Sequence, residues 1–206
     1  MQCVGYGRTM EFAQVVRRRR MVRNYDPDRP VTREVLERIA AIAQRAPSAG
    51  FSQGQRLVIV TEPERRRAIA EVCDEPDYVA AGFDPWISRA PALIVPCVSE
   101  ELYHARYREP DKLRPDGSEI EWPIPYWWVD IGATWMLITL AAVDEGLASG
   151  FLGVDDLPAL AELLDLPADF IPIGVVTLGY PVPDRRSGSL KRGWRPLDDF
   201  AHWQRW

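Results

Sequence analysis

Cysteine and histidine are scarce in this chain of 206 residues. The three cysteines, Cys3, Cys73 and Cys97, are scattered and odd in number, which argues against a disulfide framework and favours reduced thiols in a cytoplasmic protein. The two histidines, His104 and His202, do not stand at metal-ligand spacing from a cysteine or from each other. The sequence therefore predicts neither a disulfide scaffold nor a structural metal site.

Familiar nucleotide-binding motifs are missing as well. The chain contains no Walker phosphate loop and no G-x-G-x-x-G fingerprint, so the sequence predicts neither a P-loop nucleotidase nor a Rossmann domain. No apolar run approaches the roughly 20 residues that cross a bilayer, and no secretory signal is visible. With 47% hydrophobic and 27% charged residues, the composition is that of an ordinary globular protein. We therefore expect a cytoplasmic protein without a membrane span.

Arginines are concentrated near the N-terminus. Arg17 to Arg20 are consecutive, and Arg23 follows after two apolar residues. Such a cluster repels itself unless an anion binds it, and guanidinium groups suit phosphate. Because the whole chain carries a formal net charge of −5, we interpret the cluster as half of a local phosphate site, with the other half near the C-terminus. A solvated charged face remains an alternative, as does a nucleic-acid patch, although the acidic surroundings disfavour the latter.

Tryptophans are numerous and lie mainly in two irregular regions. The chain has eight of them, and one group falls in a long, proline-punctuated segment, residues 106–128, which we predict to be a lid-like loop. The aromatic rings either form flat surfaces for stacking or for an interface, or they fasten loops onto the core. The two groups are Trp122, Trp127 and Trp128, and then Trp194, Trp203 and Trp206.

Hydrophobic periodicity predicts one α+β domain over residues 10–206, with few strands and many helices, after a disordered leader at residues 1–9. Small-residue turns are expected at 48–54 and 149–154, where backbone N–H groups could approach a ligand. Helices are predicted at 10–18, 32–46, 63–73, 129–145 and 157–164, and strands at 57–61, 91–98 and 173–178.

The predicted helix from Val129 to Glu145 is apolar almost all round. A helix of this kind must be covered on every side, which indicates a central position and contact with another subunit. Its second residue, Asp130, is expected to cap the N-terminus.

Four segments in a fixed order resemble the FMN-dependent nitroreductase family. They are R-R-M-V-R-N-Y at 19–25, A-P-S-A-G-F-S-Q at 46–53, G-L-A-S-G-F-L-G at 146–153 and L-G-Y-P at 178–181, followed by a basic tail that ends in Arg195-Pro-Leu. The resemblance extends from about Met10 to the C-terminus, and the tail resembles an actinobacterial branch. Within these segments the chain has Met21 where the family commonly has Ser, Phe51 where it has Asn, and Gly54-Gln55 where it has Pro-Trp.

The resemblance implies a nitroreductase-like α+β fold, with a central mixed or antiparallel sheet wrapped by helices, in an intertwined homodimer with two FMN sites at the interface. It also implies an oxidoreductase that passes hydride from NADH or NADPH through FMN to a small organic acceptor of the nitroaromatic, quinone or enone type. No catalytic side chain, metal, nucleic acid or membrane is implied. Alternatives are a flavin storage or sensor protein of the same fold, a deazaflavin in place of FMN, and a dimeric interaction protein without a cofactor.

The resemblance also assigns positions to the site. Residues at the N-terminal cluster and in the C-terminal tail match contacts to the FMN phosphate, and residues of the two small-residue turns match contacts to the flavin ring. Apart from the resemblance, we expect aromatic side chains to line the acceptor pocket, with anchoring of the loop to the partner subunit as the alternative for the last three: Phe51, Tyr126, Trp127 and Trp128. The cofactor positions are Arg19, Arg20, Arg23, Pro47, Ser48, Ala49, Gln53, Leu152, Gly153, Lys191, Arg192 and Arg195.

Overall fold

The computed structural model describes residues 10–185 and 187–206, so the expected leader at 1–9 lies outside the described residues. The helices are α1 (Phe12–Arg18), α2 (Arg33–Ala43), α3 (Pro63–Val72), α4 (Glu75–Ala80), α5 (Glu100–Tyr107), α6 (Tyr126–Asp144), α7 (Leu157–Leu163) and α8 (Leu197–Phe200). The strands are β1 (Gln55–Val60), β2 (Ala92–Val98), β3 (Ala148–Leu152), β4 (Ile171–Pro172) and β5 (Val175–Gly179). Short 3-10 turns lie at Ala49–Phe51 and Gly188–Arg192.

The strands form one antiparallel sheet in the order β1-β2-β5-β3, with β4 paired to β2. The central strand β2 is an unbroken apolar run, and all seven of its residues are buried. In the register of the sheet, Ile94 lies between Ile59 on β1 and Val176 on β5. The predicted α+β architecture, an antiparallel sheet with helices around it, is confirmed.

Helices cover both faces of the sheet, because successive residues of a strand point to opposite sides. Leu93 and Val95 of β2 pack into a cluster that includes Ile69 of α3 and Leu160 of α7. Ile94 packs on the other side, in a cluster that contains residues of α2 and α6. The sheet is therefore the middle layer, and α6 lies against one face of it.

The long helix α6 begins at Tyr126, three residues earlier than predicted, and Pro125 is its N-cap residue. By length and composition, α6 is long and apolar enough to cross a membrane. This finding qualifies the expectation that the chain has no such segment. A core helix of a soluble protein passes the same test, and half of this helix is buried. Trp128, Val129 and Met136 remain exposed, so one chain covers α6 only in part.

Two further predictions need correction. The small-residue segment 149–154 is not a turn, because most of it lies in strand β3. The predicted lid-like loop 106–128 is shorter at both ends: residues 106 and 107 belong to α5, and residues 126–128 form the first turn of α6. The irregular segment between these helices is therefore residues 108–125.

Residues 187–206, the C-terminal arm, are exposed along their whole length. Trp194 is 95% exposed and Trp206 is 99% exposed. Within the described residues, the hydrogen bonds and the ion pair of the arm join residues of the arm to one another. The arm tryptophans therefore do not fasten this segment to the core of their own chain.

Candidate functional site

The arginine segment runs beside the strand that ends at Leu152. Met21 forms a parallel bridge with Ser149, and the Val22 amide donates a hydrogen bond of 3.0 Å to the Ser149 carbonyl. The Arg23 amide is held in turn by the Asp184 carboxylate, at 3.0 Å. These contacts bring the basic residues after α1 next to β3.

A buried chain of hydroxyl groups fixes this arrangement. The Gly150 amide donates to Thr177 Oγ1 at 3.1 Å, Thr177 shares a hydrogen bond of 2.7 Å with the Tyr25 hydroxyl, and that hydroxyl donates to the Val22 carbonyl at 2.7 Å. Burial raises the pKa of Tyr25 far above its usual value, so the phenol stays protonated and remains a donor. The segment 22–25 is thereby attached to both β3 and β5.

Arg23, Leu152 and Gly153 line one cavity of about 380 Å³, which we call the Arg23 cavity. The Arg23 guanidinium lies 5.5 Å from the centre of the Trp86 ring, within the range of a cation–π interaction. The buried Glu75 carboxylate holds the wall by accepting hydrogen bonds from the Trp86 and Ile87 amides, at 2.7 and 2.5 Å. Three of the predicted cofactor residues thus meet in one place.

The basic cluster is partly accessible. Arg19 and Arg23 are half-buried, and Arg20 is exposed. Within residues 10–185 and 187–206, no carboxylate lies within 4.0 Å of the side-chain nitrogens of Arg17 to Arg20 or of Arg23. Guanidinium groups that form no internal ion pair are able to bind an external anion.

The turn at residues 47–53 has a strained backbone. Gly50, Phe51 and Gln53 have φ angles of 61°, 59° and 51°, a region that non-glycine residues rarely adopt. Internal hydrogen bonds support it: the Gln53 amide donates to Ser48 Oγ at 2.9 Å, and Ser52 Oγ donates to the Ala49 carbonyl at 2.6 Å. Strained turns of this kind concentrate at functional sites.

Neighbouring helices hold the turn from outside. Arg106 Nε on α5 donates to the Gly50 carbonyl at 3.0 Å, and the Ala49 amide donates to Asp130 Oδ2 on α6 at 2.9 Å. The prediction that Asp130 caps the N-terminus of α6 is therefore wrong. The Asp130 carboxylate is buried and accepts a second hydrogen bond from the Tyr103 hydroxyl, also at 2.9 Å.

Phe51 and Gln53 line a second cavity, of about 1010 Å³, which we call the Gln53 cavity. Its wall also includes Gln44, Arg45 and Arg56. No described residue lines both this cavity and the Arg23 cavity. Within one chain, the predicted ring-binding turn and Arg23 therefore face different spaces.

Comparison with known proteins identifies the family. The sequence pattern of the Nitroreductase family matches residues 16–180. The chain belongs to the nitroreductase family. An Archaeoglobus fulgidus protein named NADH dehydrogenase/NAD(P)H nitroreductase is 28% identical over 200 residues, which covers 95% of this chain and 99% of that protein.

Two further relatives are a curated protein and a solved structure. An FMN reductase [NAD(P)H] of Bacillus subtilis is 28% identical over 185 residues, covering 89% of this chain and 69% of that protein. A nitroreductase from Exiguobacterium sibiricum, crystallised with FMN, superposes with a TM-score of 0.74 at 18% identity, covering 95% of this chain and 98% of that one. The nitroreductase fold predicted from the four segments is confirmed.

The aromatic residues of this nitroreductase-family chain divide into two groups. Trp127, predicted to line the acceptor pocket, is buried and packs 6.1 Å from Tyr103 and 5.7 Å from Trp122, between ring centres. It fastens the segment 108–125 to the core, which was the alternative interpretation. Tyr126 and Trp128 are exposed at the start of α6 but line neither cavity of a single chain.

The tail residues predicted to contact phosphate lie on the exposed C-terminal arm. Lys191, Arg192 and Arg195 are exposed on the C-terminal arm, and Arg195 pairs with Asp199 at 2.9 Å. Within the described residues, the arm makes no hydrogen bond to the segment that carries Arg23. Within one chain, no described hydrogen bond therefore holds the two predicted halves of the basic site together.

Residues 50–54 spell Gly-x-Ser-x-Gly, the pattern of a hydrolase nucleophile elbow. That motif requires a strand before the serine and a helix after it, whereas here the turn precedes strand β1. The Ser52 hydroxyl is also occupied, because it donates to the Ala49 carbonyl. This family member therefore has a structural serine at that position.

Proposed function

We propose that this protein is an FMN-dependent oxidoreductase that passes hydride from NADH or NADPH to a small organic acceptor of the nitroaromatic, quinone or enone type. The observation that carries the proposal is the meeting of Arg23, Leu152 and Gly153 in one cavity. Family membership supports the reaction class. The names of the relatives, an FMN reductase [NAD(P)H] and an NAD(P)H nitroreductase, support the flavin and the reductant.

The residues present fit FMN, which has a doubly charged phosphate and a flat ring. Arg19, Arg20 and Arg23 offer guanidinium donors that form no ion pair within 4.0 Å with a described carboxylate, although Asp74, Glu75 and Asp155 also line the Arg23 cavity. Gly153, beside Leu152 at the end of β3, has open space where a side chain would otherwise stand, so a flat ring can approach its backbone. When bound, FMN would supply the hydride chemistry, and the protein would supply position and electrostatics.

Each group of residues has a distinct proposed role. The N-terminal arginines bind phosphate together with basic residues of the tail. The 47–53 turn lies along the ring, while the end of β3 presents backbone to its other side. The phosphate group comprises Arg19, Arg20, Arg23, Lys191, Arg192 and Arg195, and the ring group comprises Pro47, Ser48, Ala49, Gln53, Leu152 and Gly153.

We further propose that two copies of the chain build each site, in an intertwined homodimer. Two observations support this: no described residue lines both cavities, and the exposed C-terminal arm carries exposed aromatic side chains. The partly uncovered helix α6 would gain cover in the same assembly. Residues 10–206 would then act as one FMN-binding domain in each copy, and the cytoplasmic location stays a prediction.

The acceptor pocket is proposed to lie at the mouth of the Gln53 cavity. Phe51 is 74% exposed there, on a left-handed backbone that turns its ring away from the core. Such a ring can stack on a flat acceptor. Tyr126 and Trp128 of the partner copy would complete the pocket, and residues 108–125 would act as its lid.

An absorbance experiment tests the proposal. The full-length protein is mixed with FMN, excess flavin is removed, and the spectrum is recorded before and after anaerobic addition of NADH or NADPH. We expect retained yellow colour that bleaches with one nicotinamide and returns when a nitroaromatic, quinone or enone is added. Colour that neither nicotinamide bleaches would indicate a storage or sensor protein. Failure to retain FMN would contradict the proposal, and selective retention of a 5-deazaflavin would replace the cofactor.

A further inference from the structure

The carboxylate of Asp130 is an unusual group for the interior of an apolar helix. Asp130 is 7% exposed, and both neighbours that touch its Oδ2 atom are neutral donors, the Ala49 amide and the Tyr103 hydroxyl. Within the described residues, no cation lies within ion-pair distance of it. A buried charge is costly unless it is hydrogen-bonded, so an apolar residue would serve packing better.

The donor that Asp130 accepts from belongs to the strained turn. Ala49 begins the 3-10 turn in which Gly50 and Phe51 have positive φ angles. Because such a backbone persists only when its surroundings hold it, the bond from the Ala49 amide to α6 restrains the turn where the strain begins.

Tyr103 places the carboxylate. Its ring packs against Gly54, where an added Cβ would lie 2.5 Å from the ring, so the phenol stands between the end of the turn and α6. Burial raises the pKa of Tyr103 well above its usual value, as does the neighbouring Asp130 carboxylate. The phenol therefore keeps its proton and donates it to the hydrogen bond.

A second clamp acts on the same turn from α5. Arg106 donates to the Gly50 carbonyl and is itself oriented by two hydrogen bonds of 2.8 Å to the Asp111 carboxylate. The ring of Tyr107 blocks the other side, since a Cβ on Gly50 would lie 2.6 Å from it. The turn is therefore held between two helices, and Asp130 is its buried anchor.

We propose that Asp130 is a positioning residue of the flavin site, which holds the 47–53 turn in its binding conformation before the flavin arrives. A turn that is already ordered loses less entropy on binding, so affinity rises without a direct contact. This inference rests on the proposed FMN function. It assigns no chemical step to Asp130, whose carboxylate acts only through the Ala49 amide.

The test compares Asp130→Ala with Asp130→Asn, which keeps an acceptor oxygen. Hydrogen exchange of the amides of residues 48–53 is measured without FMN, and the FMN dissociation constant is measured by fluorescence titration. Loss of a hydrogen bond to a charged acceptor predicts roughly tenfold faster exchange at Ala49 and a roughly tenfold higher dissociation constant for Asp130→Ala. Asp130→Asn is expected to stay within about threefold of wild type in both.

Thr139→Val is the matched control, because Thr139 is buried on α6 and its hydroxyl donates to the Met136 carbonyl. It should leave both measurements unchanged. If Asp130→Ala does not fold, Ala49→Pro is the second variant. It removes the amide that donates to Asp130 and leaves the carboxylate in place. The backbone of Ser48, with φ −142° and ψ 140°, suits a residue before proline.

Two outcomes would overturn the proposal. The first is wild-type affinity for FMN in Asp130→Ala, and the second is faster exchange spread evenly over α6 and β2, which would mark a general stabilising role. Failure of the wild-type protein to bind FMN would contradict the proposed function instead. In that case the exchange rates at residues 48–53 still show whether Asp130 orders the turn.

Discussion

Tyr25 and Thr177 share a hydrogen bond of 2.7 Å between two buried hydroxyl groups, and this contact joins the arginine segment to the central sheet. The bond continues on one side to the Val22 carbonyl and on the other to the Gly150 amide. Its effect is to hold the chain before and after Arg23 against β3. The electrostatic part of the candidate site is therefore positioned by a neutral network behind it.

Gly150 leaves no room for a side chain in that network. An added Cβ would lie 2.6 Å from the Val22 carbonyl oxygen and 2.7 Å from Thr177 Oγ1. We expect Gly150→Ala to lower the free energy of unfolding by about 1–3 kcal/mol, as overpacking does. Chemical denaturation measures this. Gly132→Ala on α6 is the control: its Cβ meets open space, and removing a helical glycine should stabilise by about 0.5–1 kcal/mol.

Arg23→Ala should weaken FMN binding about tenfold or more, because a charge-assisted contact to phosphate is lost. Fluorescence titration at two salt concentrations measures the effect, and the variant should show a weaker salt dependence than wild type. Arg33→Ala removes an equal charge from an exposed pair with Glu37 on α2. Equal losses in both variants would mean that the cluster acts only through overall charge.

The segment 108–125 is fastened by a pH-sensitive contact. Glu119 bonds to His104 Nδ1 at 2.5 Å and accepts from Trp122 Nε1 at 2.7 Å. Burial alone would lower the pKa of His104, but hydrogen bonds to Glu119 and Glu100 outweigh burial and raise it. For the Glu119 carboxyl the directions are reversed: burial would raise its pKa, but hydrogen bonds from Trp122 and His104 outweigh burial and lower it.

These shifts set a stability window. Because the pKa of His104 is raised in the folded protein, His104 stabilises the fold fully at pH values below its pKa in the unfolded chain, about 6.5. This contribution is lost as the pH rises through the pKa of the folded state. The lowered pKa of Glu119 stabilises the fold above about pH 4.3, and this contribution is lost as pH falls. We expect the melting temperature of wild type to exceed that of His104→Gln most between these limits. A constant difference from about pH 4 to about pH 9 would contradict this.

Removal of residues 187–206 should leave the body of the protein folded, because the described hydrogen bonds of the arm are internal to it. If the arm packs against a second copy of the chain, the truncation should also convert the dimer to a monomer and abolish FMN retention. Light scattering and absorbance measure the two effects. A truncated protein that remains dimeric and yellow would remove the arm from the site.

Local signals predicted much of the fold. Pro63 was predicted to open a helix and does, because proline suits the first turn. The strand expected at 91–98 appears as β2, because an apolar run in a globular chain is buried. Failures occurred where distant contacts decide the structure. The segment containing Ser149 and Gly150 looked like a turn, yet its small residues are needed because Val22 packs against the strand there.

The sequence suggested candidate site residues, but not how the structure groups them. The arginines and the glycine-rich segments were recognisable as patterns, whereas the role of Asp130 depends on residues 27 and 81 positions away. No local pattern marks such a contact. The separation of the two cavities was equally invisible, since it depends on where β3 lies within the sheet and on how α6 packs against the sheet.

Among residues 10–185 and 187–206, the Arg23 and Gln53 cavities have no lining residue in common, and this has a consequence for mixtures of chains. If each site combines one cavity from each copy, an Arg23→Ala chain is defective in the first cavity and an Asp130→Ala chain in the second. A dimer of the two chains then contains one site with both cavities unaltered. Random pairing at equal amounts would make half of the dimers hybrids, and each hybrid would contain one site built only from unaltered parts. About one-quarter of all sites would then recover, although neither parent has any that is intact.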